Sequence, residues 1–160
     1  MSDRIPMTRA GYDKLRAELD RMENVEMPEL EDRVGKARAE GDLTENAEYE
    51  GARESLELLR ARIHVLRDKL NRASIVDPAQ APKGEVAFGC TVRVKDLELG
   101  DEEEFTLVGA GEEDYAAGKI LVTSPLARGL VGKKTGETAE IEVPMGKLRY
   151  EIVAIRFGAG

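Results

Sequence analysis

The sequence predicts an α+β chain: an N-terminal antiparallel α-helical coiled-coil hairpin, then a small, mostly antiparallel β-sheet domain with one short helix. Three observations carry this. Tyr49, Ala52, Leu56, Leu59, Ile63, Leu66 and Leu70 recur at alternating spacings of three and four, the heptad seam of a coiled coil. An earlier apolar stripe precedes them across a Gly41-Asp42 turn, so the chain doubles back. Beyond Gly84 the apolar period changes from helical to strand-like.

The first helix is expected after Thr8, a good N-cap residue, with Tyr12, Leu15, Leu19 and Met22 forming its stripe. Leu30, Val34 and Ala37 resume that stripe beyond Met27-Pro28, and the proline predicts a kink or break. Gly41 suits a left-handed helix stop. The second helix is expected from about Asp42 to Ala73, roughly 45 Å at 1.5 Å per residue. Two helices joined by a short turn pack antiparallel, and a seam this narrow predicts a projecting arm.

Asp77-Pro78-Ala79-Gln80-Ala81-Pro82-Lys83 reads as a linker. The expected domains are therefore 1–76, with an acidic tip at 41–48, and 84–160, with 77–83 between them. Strands are expected at 91–94, 105–108, 119–123, 139–143 and 148–155. Ser124-Pro125 reads as an N-cap followed by proline at the first position of a short helix. The acidic run Glu102-Glu103-Glu104 is expected to be a solvated loop.

Composition limits the function. Charged residues make up 35% and aromatics 4%, and the net charge is −8. Such a chain does not look like a general duplex binder, because nucleic-acid affinity rests on neutralised phosphates. Cys90 is the one cysteine, so it cannot form an internal disulfide, and it reads as a small buried hydrophobe in a reducing compartment. No apolar run approaches the ~20 residues of a membrane span, and there is no signal-peptide core. A soluble cytoplasmic protein is expected.

The chemistry-bearing candidates lie at the hairpin tip. Asp42 and Glu45 are three residues apart and share a face of a helical first turn. Asp-x-x-Glu is also a capping pattern, which would satisfy free N–H groups and the helix dipole. As metal ligands the pair is incomplete, since Mg²⁺ takes six oxygens. Such a tip supplies part of a site, and a partner must supply the rest. Arg38 and Arg53 flank the tip as either solvated surface or phosphate contacts. His64 is the single histidine, so no histidine cluster or triad is available.

Several runs resemble the bacterial transcript-cleavage factors of the GreA/GreB family. They are Ile5-Pro6-Met7-Thr8, the tip Glu40-Gly41-Asp42-Leu43-Thr44-Glu45-Asn46-Ala47-Glu48-Tyr49, and Ala52-Arg53-Glu54. Phe88-Gly89-Cys90-Thr91-Val92 and Ser124-Pro125-Leu126-Ala127-Arg128-Gly129-Leu130-Val131-Gly132-Lys133 complete the set. The resemblance implies a coiled-coil hairpin and an FKBP-like C-terminal domain. It implies an accessory factor, not a stand-alone enzyme, whose partners are bacterial RNA polymerase and the backtracked RNA 3′ end. The region of Ser124, Pro125 and Arg128 would dock on the polymerase rim, and the hairpin would enter the secondary channel. Asp42 and Glu45 would then help hold a Mg²⁺ shared with the polymerase, the chain having no cofactor of its own. Arg38 and Arg53 would contact RNA. The resemblance further implies a monomer with no membrane role.

Acids at Glu40, Glu48, Glu50, Glu54 and Glu57 surround the arginines and favour the less basic branch of the family. Prolyl-isomerase activity is not carried over, because the C-terminal half offers only Phe88, Phe105, Tyr115, Tyr150 and Phe157 for an aromatic pocket. Two alternatives stand beside this reading: a channel-binding inhibitor that does not stimulate cleavage, and an isomerase or chaperone with a coiled-coil clamp.

Overall fold

The computed structural model describes residues 4–40 and 47–157. These form two compact units: residues 13–73, and residues 4–12 together with the chain from Ser74 onward. The second grouping differs from the boundary expected at residue 76. Strand β1 (Ile5–Met7) pairs with β2 (Ala73–Ile75), and the Val76 N–H donates to the Met7 carbonyl at 2.9 Å. Met7 is fully buried, and a Cβ on Gly109 would stand 2.6 Å from its Cα. Strand pairing and close packing thus tie the N-terminal segment to the second unit.

Helix α1 spans Arg9–Arg21. Thr8 caps it, its Oγ1 accepting from the Gly11 N–H at 3.0 Å and donating to the Glu112 carboxylate. Met22–Glu26 is a π-helical turn, in which the Met27 N–H bonds the Met22 carbonyl, and α2 follows at Met27–Ala39. The kink or break expected at Pro28 takes this form. Proline lacks an N–H and its ring clashes with the carbonyl four residues back, and the wider turn makes room without ending the helix.

Helix α3 spans Ala47–Asn71, so its 25 residues cover about 37 Å. Ala52, Leu56, Leu59, Ile63, Leu66 and Leu70 are buried along it, as the heptad reading requires, with Tyr49 half-buried. Leu15, Leu19, Met22 and Ala37 are buried on the preceding helical run. Arg38 meets Tyr49, Arg33 meets Glu48 at 3.7 Å, and Glu23 meets Arg67. Early residues of one run meet late residues of the other, so the two are antiparallel. The helix expected to reach Ala73 stops at Asn71 because Ala73 is claimed by β2.

In the second unit, the 77–83 segment is a packed turn rather than a free linker. Asp77 caps a 3₁₀ turn at Pro78–Gln80, and a Cβ on Gly89 would lie 2.5 Å from the Pro78 ring. A five-stranded sheet follows, ordered β5-β4-β3-β7-β6. Its strands are β3 (Thr91–Asp96), β4 (Glu102–Val108), β5 (Lys119–Leu121), β6 (Thr138–Val143) and β7 (Gly146–Arg156). All pairings are antiparallel except β4 with β5.

The acidic run expected as a loop is instead the start of β4. Glu102, Glu103 and Glu104 pair in register with Lys95, Val94 and Arg93, where opposite charges across the strands offset the weak strand preference of glutamate. Val92, Val94, Leu107, Ile120, Ile141 and Ile152 form the core, closed by Ala127 and Leu130 of α4 (Pro125–Leu130). Phe105 stacks edge-on against Tyr150 with ring centroids 6.3 Å apart, so two of the C-terminal aromatics serve packing. Cys90 is fully buried, and burial pushes its thiol up. Among the described residues no helix is long and apolar enough to cross a membrane.

Candidate functional site

Asp42 and Glu45 lie outside the described residues. The described chain is helical on both sides. Helix α2 ends at Ala39 with the Glu40 N–H bonded to the Ala37 carbonyl, and α3 begins at Ala47. The chain carrying the acidic pair therefore joins two antiparallel helices. Among the described residues no group of three or more His, Cys, Asp or Glu could hold a metal ion.

Arg38 and Arg53, expected as a pair flanking the tip, lie on one surface. They line one open cleft of about 400 Å³ on the helical unit, with Glu31, Val34, Gly35, Tyr49, Leu56, Glu57 and Arg60. Arg38, in the last turn of α2, places its guanidinium over the Tyr49 ring at 5.7 Å. Such a cation–π contact at an exposed site contributes about 0.5–1 kcal/mol and holds the cation in place. Arg53 stands on α3 between two carboxylates, Glu50 and Glu57, each at 3.2 Å. The hydrogen bond it donates to Glu50, then the charges of Glu50 and Glu57, push its guanidinium above the usual arginine range, so it stays cationic at any working pH.

Arg60 completes the cleft and was not singled out from the sequence. It falls seven residues after Arg53, two helical turns along one face, and that spacing could have found it. Arg60 also lines a second cleft of about 290 Å³ with Glu23, Met27, Ile63, His64 and Arg67. His64 is exposed there, beside buried Ile63, as its position at the flank of the seam predicts.

The second unit presents Ser124, Pro125 and Arg128 on and around α4. Ser124 Oγ accepts from the Ala127 N–H at 3.2 Å, and its carbonyl accepts from the Arg128 N–H at 2.9 Å. Pro125 takes an initial helical position and is exposed, as is Arg128. The opposite side of α4 is fixed to the sheet. A Cβ on Gly129 would stand 2.5 Å from Ile141 Cγ1, so glycine is what lets α4 lie this close to β6. The exposed residues are thus displayed from a rigid base.

Comparison with known proteins covers both units. The family model described as "Transcription elongation factor, N-terminal" matches residues 5–75, and "Transcription elongation factor, GreA/GreB, C-term" matches residues 81–157. A relative named transcription elongation factor GreA, from Thermodesulfovibrio yellowstonii, is 47% identical over 157 residues, covering 98% of this chain and 99% of that protein. The protein of the same name from Prosthecochloris aestuarii is 45% identical and covers 97% of this chain and 98% of its own. Among solved structures, the GreA factor homolog 1 (Gfh1) of Thermus thermophilus is 25% identical with a TM-score of 0.46, covering 96% of this chain and 99% of its own.

Proposed function

Because the chain belongs to the GreA/GreB family of transcription elongation factors, we propose that it binds RNA polymerase and stimulates cleavage of backtracked nascent RNA by the polymerase's own active site. The observation that carries this reading is the antiparallel pair α2 and α3, joined by a chain bearing Asp42 and Glu45. The hairpin enters the polymerase secondary channel, and the surface around Ser124, Pro125 and Arg128 docks on its rim. Arg38 and Arg53 hold the RNA backbone beside the tip. The chain works as a monomeric accessory factor in the cytoplasm.

Two carboxylates fit Mg²⁺ in kind, as hard oxygen donors, but not in number. This supports an ion shared with the polymerase, held on this side by Asp42 and Glu45. The ion supplies Lewis-acid polarisation of a phosphoryl oxygen when bound. Asp42 and Glu45 would contribute formal charge and oxygen lone pairs. Arg38 and Arg53 orient the phosphodiester backbone through charge-assisted hydrogen bonds.

The test uses stalled, backtracked elongation complexes. Asp42→Asn keeps side-chain size and capping ability while removing charge. The Asp42→Asn, Glu45→Gln variant should bind polymerase as the parent does. Its RNA shortening at low Mg²⁺ should fall about tenfold or more, since even outer-shell metal partners act on that scale. High Mg²⁺ should restore part of the activity by mass action. A fully active double variant at low Mg²⁺ leaves the pair as a helix cap. Parent protein that binds without shortening RNA would instead support the inhibitor reading.

A further inference from the structure

Arg53 lines its cleft with one N–H of each terminal nitrogen already given to a carboxylate. Nη2 donates to Glu50 Oε2 and Nη1 to Glu57 Oε1, each at 3.2 Å. The three residues stand at i−3, i and i+4 on α3, so helix geometry brings them together. Glu57 lines the same cleft as Arg38, Arg53 and Arg60. A phosphodiester would be recognised by the same guanidinium fork that the carboxylates now occupy. An arriving phosphate therefore competes with two carboxylates for the five N–H donors of the guanidinium, and it remains within range of their negative charge.

Resting on the RNA-contact reading of this cleft, we infer that Glu50 and Glu57 are built-in competitors for RNA phosphate at Arg53. They let the cleft orient RNA while preventing a tight hold. The contrast with Arg38 supports this division. Arg38 instead places its guanidinium over the neutral ring of Tyr49, 5.7 Å from its centroid. The carboxylates also hold the guanidinium at the cleft, so the competitor doubles as a positioning device. A factor that must let RNA advance after each cleavage gains from such a light grip.

The direct test is anisotropy of a labelled single-stranded oligoribonucleotide titrated with full-length protein at low salt. Exposed helical ion pairs of these spacings correspond to about twofold each in an equilibrium constant. Glu50→Gln with Glu57→Gln should therefore tighten binding by about fourfold in the parent background. In the Arg53→Ala background the same two changes should give clearly less, because only the general loss of negative charge remains. Equal tightening in both backgrounds would overturn the competitor role while leaving the RNA reading intact. If Arg53→Ala alone binds the oligoribonucleotide as the parent does, the RNA contact of Arg53 fails and the competitor role falls with it. All of these changes lie on exposed side chains of α3, and circular dichroism of each variant checks that the helix is retained.

Discussion

Glu104 of β4 accepts hydrogen bonds from arginines on β3, its neighbour, and on β7, one strand beyond. Arg156 of β7 reaches both of its oxygens, at 3.2 and 3.3 Å, and Arg93 of β3 reaches one at 3.3 Å. The Arg156 hydrogen bond, then the Arg156 charge, then Arg93 hold the carboxyl below its usual range. A depressed folded-state pKa gives stability that is present at neutral pH. That stability is lost as pH falls below the ordinary glutamate value, near ~4.3, and on through the depressed one. The side chain is solvated, so the contribution is small and salt-sensitive. Carboxyl NMR should find Glu104 titrating below the ordinary glutamate range, and Arg156→Ala should move it up further than Arg93→Ala. Equal shifts from the two variants would contradict the ordering. None of this was legible in the sequence. Arg93 and Arg156 are far from Glu104 along the chain, and a run of three acids carries no local sign of the bases that will face it. The cleft arginines were easier, because Arg38 and Arg53 flank one turn of a helical pair.

At the scale of elements, α3 was legible because its period is strict and its buried residues are those of the heptad. Its C-terminal limit was not. The seam continues in pattern toward Ala73, but strand pairing with β1 takes that residue, and such pairing depends on segments more than sixty positions apart. The π-helical turn before Pro28 escaped for a related reason. A proline announces a perturbation, but not whether the helix breaks or widens into a π-turn, here one in which Met22 is buried. Leu59 and Ile63 are 3% and 4% exposed. Truncating either to alanine should cost about 2–5 kcal/mol. In Leu59→Ala the amides of α3 should lose hydrogen-exchange protection, whereas those of β3 and β7 keep it. Loss spread equally over both units would show that this seam stabilises more than the helical pair.

For the whole molecule, the decisive residues are those at the start of the chain. Met7 is fully buried in the second unit, Gly109 lies against its backbone, and Thr8 bonds Glu112. A fragment of residues 84–160 would leave those positions uncovered. Met7→Ala should therefore destabilise the second unit by about 2–5 kcal/mol. The change should appear as faster hydrogen exchange in β3, β4 and β7 of the full-length protein, with α3 protected as before. Faster exchange confined to α1 would assign Met7 to the helical unit instead. The two-part organisation could be read from a change of period near Gly84. The membership of residues 4–12 could not, since a three-residue strand carries too little pattern to name its partner.

The chain leaves the second unit after Tyr12 and returns to it at Ser74, with β1 and β2 paired on either side of the departure. In topological terms the helical hairpin is an insertion, and its host has one exit seam and one return seam. Exchange of the whole hairpin between related chains then needs only two splice points, both set by one pair of strands. The helical unit can be lengthened, recharged or replaced like a cassette, while the host keeps its own core and its own surface around α4.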